Sequence, residues 1–242
     1  MFGRRKKDDG GSTPPGAAPA GPVAAETVEA ARRMADIVFD RLVKPMKLER
    51  GVPSPVIAAM LGALAGHACQ VATLRGIADG DPSYAGLSIM AVDGRNGDNY
   101  LVGDAINRPV LDWQFSVWSL VAGVTERMGV PTPDLDELAG YVASTIGGDA
   151  FGVPRDLPAG SPTPRLSLVM WRLGDALAKD VTPDYVPVAI ALAYQRLAQT
   201  DHEVDPSVDL AAMARIMMES ALAMSKLQAT PADLGQQAAA AG

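Results

Sequence analysis

With 242 residues, 48% of them apolar and 20% charged, the chain has a globular composition and enough length to bury a sizeable core. The formal charge is −7 although four of the first nine residues are basic and only two acidic, so the remainder is strongly acidic and no nucleic-acid partner is expected. The single cysteine, Cys69, excludes an intrachain disulfide and a cysteine-based zinc cluster within one chain, which fits a reducing, cytoplasmic location.

Residues 1–23 form a basic, then Gly/Pro/Ala-rich tail that cannot bury enough surface to order itself, and disorder is expected there. In MFGRRKK a charged start is followed by GGSTPPGAAPAGP where a signal peptide would need an apolar run. Phe2 stands where myristoylation requires glycine, so this tail offers weak membrane contact at most. A single mainly helical domain is expected over residues 24–228, with a frayed Ala-rich end over 229–242.

Val28, Ala31, Ala35, Val38 and Leu42 recur at helical spacing and predict an amphipathic helix that stops near Lys44-Pro45. Val56 to Leu74 carries no formal charge and follows Ser54-Pro55, a cap and a first-turn proline. This stretch is long enough to span a membrane, but its Ala and Gly content and its His67, Gln70 and Thr73 favour a buried central helix. Gly62 and Gly66, four apart, would let another helix approach closely.

A β-hairpin is expected near 86–105, with strands at Ser88–Val92 and Tyr100–Val102, a turn at Asn96-Gly97, and Arg95 opposite Asp98. Leu87, Ile89 and Ala91 make one side apolar, and Met90 and Val92 the other, so neither suits water. The hairpin should therefore pack on a helix, and its free edge is suited to a second copy of the chain.

Asp112 is expected to cap a nearly apolar helix running to Met128 and carrying Trp113, Phe115 and Trp118 at core spacing. Further helix starts repeat one chemistry, an acceptor side chain beside proline: Thr132-Pro133-Asp134, Thr163-Pro164, Thr182-Pro183-Asp184, Asp205-Pro206 and Thr230-Pro231. Apolar stripes predict helices through Leu135–Ile146, Leu166–Leu177, Tyr185–Arg196 and Val208–Leu227. Between the first two, residues 147–164 are too rich in Gly and Pro for regular structure and read as a surface loop. The fold class is mainly α, about seven helices with one inserted hairpin.

No phosphate-binding, dinucleotide, zinc-hydrolase or esterase motif is present. His67 and Cys69 sit two apart and point about 200° apart on a helix, which suits a structural role better than a nucleophile and its base. His202, Glu203 and Asp205 are explained as a polar interhelical loop, and Asp93, Asn96, Asp98 and Asn99 as turn chemistry, since calcium would require ligands where Arg95 and Gly97 stand. Asp104, Asn107, Arg108 and Trp113 remain as residues able to rim a ligand pocket. No catalytic residue, metal or cofactor is assigned.

These features lead us to expect a soluble, cytosolic, non-enzymatic interaction protein that self-associates through the hairpin or an apolar helix face. One alternative is a small-molecule-binding or enzymatic domain with its pocket near Asp104, Asn107 and Trp113. The other is a peripheral membrane protein tethered by its basic start.

Overall fold

A computed structural model describes residues 25–170 and 183–228. The tails expected at 1–23 and 229–242, the cap at Thr230-Pro231 and most of the helix expected over Leu166–Leu177 lie outside the described residues. Within them, α1 (Ala25–Val38) is followed by α2 (Ser54–Ala78), strands β1 (Met90–Asp93) and β2 (Asn99–Val102), and the single turn α3 (Asp104–Asn107). Next come α4 (Val117–Arg127), α5 (Leu135–Thr145), α6 (Val186–Val204) and α7 (Leu210–Lys226). The protein is mainly α with one antiparallel hairpin.

The centre of the fold is the pair α2 and α7. Helix α6 packs beside α2, α1 and α4 rest on α6, and α5 covers α7. Helix α2 is long and apolar enough to cross a membrane, yet protein encloses most of it. A Cβ on Gly62 would overlap the Met217 carbonyl, and one on Gly66 the Ala221 carbonyl, so the two glycines set how closely the helix axes approach. At the far end of the pair, the Gln70 side-chain amide donates to the Ser225 and Leu227 carbonyls at 2.9 and 3.0 Å. It thereby satisfies acceptors that the end of α7 leaves without helical partners.

The helical run that begins with α1 does not stop at Lys44-Pro45. The chain passes into π-helical turns at Phe39–Val43 and Pro45–Glu49, and a third π turn, Arg108–Asp112, follows α3. Pro45 and Pro109 each lie inside an otherwise helical run, where the ring lacks an N–H and crowds the carbonyl four residues back. Here the backbone widens instead of ending.

Several caps differ from expectation. Helix α4 starts at Val117 and is capped by Ser116, whose hydroxyl accepts from the Ser119 amide at 3.1 Å, because Asp112 is taken up in the π turn. Trp113 and Phe115 therefore precede the helix. Asp134 caps α5 by accepting from the Glu137 amide, while Thr132 shares a hydrogen bond with Thr125. Asp209 caps α7, since Asp205 is engaged in a local turn with Ser207. Ser54 is already helical and accepts from Lys47, whose ammonium also pairs with the buried Asp201 of α6. Residues from Pro164 to Met170 form a 3₁₀ helix.

The Gly/Pro-rich segment over 147–164 is more than a surface loop. Gly152, Pro154 and Pro164 are buried, and Phe151 meets the Tyr100 ring edge-on at 4.7 Å. Glu219, buried on α7, accepts from the Arg155 amide at 2.8 Å and from its Nε at 2.7 Å, while Arg155 also pairs with Glu137. A buried carboxylate needs such a partner. The segment is thus fastened to the central helix by charge as well as by apolar contact.

Candidate functional site

A cleft of about 230 Å³ lies where the loop after α2, the third π turn and the start of α6 meet. Its walls are Ala72, Asp81, Ser83, Tyr84, Arg108, Pro109, Trp113, Asp184 and Tyr185. Asp81 caps the 3₁₀ turn Pro82–Tyr84 by accepting from the Ser83 amide at 2.8 Å. Gly76 leaves room for the Tyr84 ring against α2, since a Cβ there would overlap it. Arg108 donates from Nη1 to the Ser83 carbonyl at 2.6 Å, with its guanidinium 5.8 Å from the centre of the Tyr84 ring. The Trp113 ring stands edge-on to Tyr185 at 5.6 Å and to Phe115 at 5.8 Å.

The π turn brings two of these walls together. The Trp113 amide donates to the Arg108 carbonyl at 3.0 Å, a bond across five residues. In an α-helix, positions five apart point about 140° away from each other, whereas one π turn returns them to the same side.

Burial raises the Asp184 carboxyl above the usual carboxylate range; the Asp81 carboxylate adds to that effect and Arg75 opposes it. Burial also raises the Tyr84 and Tyr185 phenols.

Of the four residues expected to rim a pocket, Arg108 and Trp113 line this cleft, and Asp104 and Asn107 do not. Asp104 is exposed and accepts from the Ser88 hydroxyl at 3.0 Å. Asn107 accepts from the Lys226 ammonium at 2.7 Å and so joins α3 to the end of α7. Sequence reasoning missed Asp81, Tyr84, Asp184 and Tyr185. Their signal lies in Asp81-Pro82 and Pro183-Asp184, acid and proline side by side, a pattern that capping alone also explains.

The hairpin is the other feature of interest. The Gly94 amide donates to the Asp98 carbonyl and the Gly97 amide to the Gly94 carbonyl, so the loop is Arg95-Asn96-Gly97 and Gly97 adopts φ +82°. This is a three-residue connection with glycine in the left-handed position, not a two-residue turn. Arg95 consequently does not face Asp98. Asp98 instead receives both Nη atoms of Arg165 at 2.6 and 2.8 Å.

Strand β2 is the inner strand, with Tyr100 and Leu101 buried. Its outer edge is closed by the chain itself: Tyr100 bridges to Leu227, and the Gln228 amide donates to the Asn99 carbonyl at 2.9 Å. Strand β1 is exposed along its length, with Met90 at 60% and Val92 at 40% of full exposure. The covering expected for the whole hairpin reaches only β2.

Cys69 is wholly buried, which pushes its thiol up; His67 is buried one half-turn earlier. Among the described residues no three His, Cys, Asp or Glu side chains converge as metal ligands.

Fold and site together define a mainly α protein built on a buried glycine-containing helix pair, with a half-covered hairpin at one end and an aromatic, acidic cleft beside it. No protein-family model, curated protein or solved structure matches the chain.

Proposed function

We propose that this chain is a soluble, cytosolic, non-enzymatic interaction protein that self-associates through β1. The observation that supports this reading is the asymmetry of the hairpin: β2 is closed by Leu227 and Gln228, while β1 presents Met90 and Val92 to solvent. An exposed apolar edge strand is a template for another strand, and two-fold pairing of identical edges is a common way to cover one. The helix-face route has less support, because α2, α6 and α7 bury their apolar faces against one another. Sedimentation of the wild-type protein across micromolar concentrations tests the proposal: a dimer is expected, and a strictly monomeric protein removes it.

A second reading, small-molecule binding, is favoured by the cleft, where aromatic walls and a few convergent polar groups meet in one concavity.

A further inference from the structure

We infer that the cleft beside α2 binds a small organic cation, an alkylated or primary ammonium held between aromatic rings and a carboxylate. The inference rests on the ligand-binding reading of the cleft and assigns its chemistry. Tyr84, Trp113 and Tyr185 supply three rings to one concavity, and the faces of such rings attract cations, most strongly when the site is partly desolvated. Asp81 and Asp184 supply two carboxylates to the same walls.

Arg108 is the only cation lining the cleft among the described residues, and it stands against the two carboxylates of Asp81 and Asp184. One guanidinium nitrogen is committed to the Ser83 carbonyl, and the group lies beside the Tyr84 ring. Arg75, whose charge acts on Asp184, pairs with Asp79 at 3.5 Å. The lining therefore carries an excess of negative charge next to π surface, which penalises an anion and leaves a neutral ligand without its strongest available interaction.

Partial desolvation and the Asp81 carboxylate disfavour the ionised form of Asp184 more than Arg75 favours it, and an incoming ammonium relieves that penalty by adding counter-charge. The volume, roughly eight times the space of a liquid water molecule, limits the bound portion to a small head group.

Nuclear magnetic resonance titration of the full chain tests this, following the Trp113 indole N–H, which is assigned by its loss in Trp113→Phe. The probes are tetramethylammonium chloride, its neutral shape analogue tert-butanol, and sodium butyrate. Tetramethylammonium should give a saturable shift and bind about tenfold more tightly than tert-butanol. Asp184→Asn should remove most of that difference while leaving the remaining spectrum folded, and Asp81→Asn provides an independent charge removal if the first variant fails to fold.

Equal binding of tetramethylammonium and tert-butanol, or preferential binding of butyrate, overturns the cationic assignment but preserves the cleft as a ligand site. Unchanged selectivity in both Asp→Asn variants also overturns it. Absence of any saturable shift with all three probes overturns the assignment and the ligand-binding reading together.

Discussion

At Gly66 the backbone of α2 lies against the Ala221 carbonyl of α7, so close that a Cβ there would overlap it. Gly66→Ala inserts a methyl into space already occupied by backbone, which cannot rotate away as a side chain would. The expected loss is about 1 to 3 kcal/mol, read as a lower urea midpoint with an unchanged slope. The same substitution at Gly140, where a Cβ meets nothing, is the control and should be neutral or slightly stabilising.

Lys226 is the last residue of α7, and burial lowers its pKa below the ordinary 10.5. The folded state therefore gives up this proton at a lower pH than the unfolded state does. Between the lowered value and 10.5 the unfolded chain binds more protons, so stability rises with pH across that window. Lys47 shifts in the same direction for the same reason and contributes to the same slope. Urea midpoints measured for wild type and Lys226→Met as pH is raised toward 10.5 should show a shallower rise in the variant.

Among the elements, β1 offers the clearest experiment because its side chains already face water. Met90→Lys with Val92→Lys should leave the melting temperature nearly unchanged, as surface substitutions commonly stay within about 0.5 kcal/mol. If β1 is the self-association edge, the same pair of changes converts the dimer to monomer in sedimentation. A variant that unfolds would instead show that β1 is packed against its own chain.

The hairpin also shows what a sequence can and cannot disclose. Its existence followed from β-branched and aromatic residues flanking Asn96-Gly97, since those preferences are local. Its register did not, because Gly97 serves a two-residue turn and the left-handed position of a three-residue loop equally well. Helices α2 and α7 were legible from long apolar runs, and the closeness implied by Gly62 and Gly66 from their spacing. The site was half legible. Arg108 and Trp113 were singled out for their chemistry, but an α-helical period would place them on different sides, and only a π turn joins them. Tyr84 and Asp184 come from segments distant in sequence, and no periodicity relates such segments. The caps at Ser116, Asp134 and Asp209 were displaced because several acceptors stood near each start, and tertiary packing chose among them.

At the level of the whole molecule, Cys69 reports on the core as a unit. It lies in α2, fully buried, with its thiol held protonated by that burial. Labelling by a thiol reagent should therefore be slow in the native protein and should accelerate with denaturant in step with global unfolding. Native labelling as fast as that of the unfolded chain would contradict the packing of α2.

The contact between Gln70 and Ser225 joins residues 155 positions apart. On a ribosome adding about 5 to 20 residues per second, α2 emerges roughly 8 to 30 seconds before the helix that covers it. During that interval its apolar surface has no final partner, and the central contact cannot form until a very long loop closes. Production of this protein should accordingly depend on holding chaperones far more than its finished stability suggests, and slowing translation should lengthen the exposed interval and lower the soluble yield.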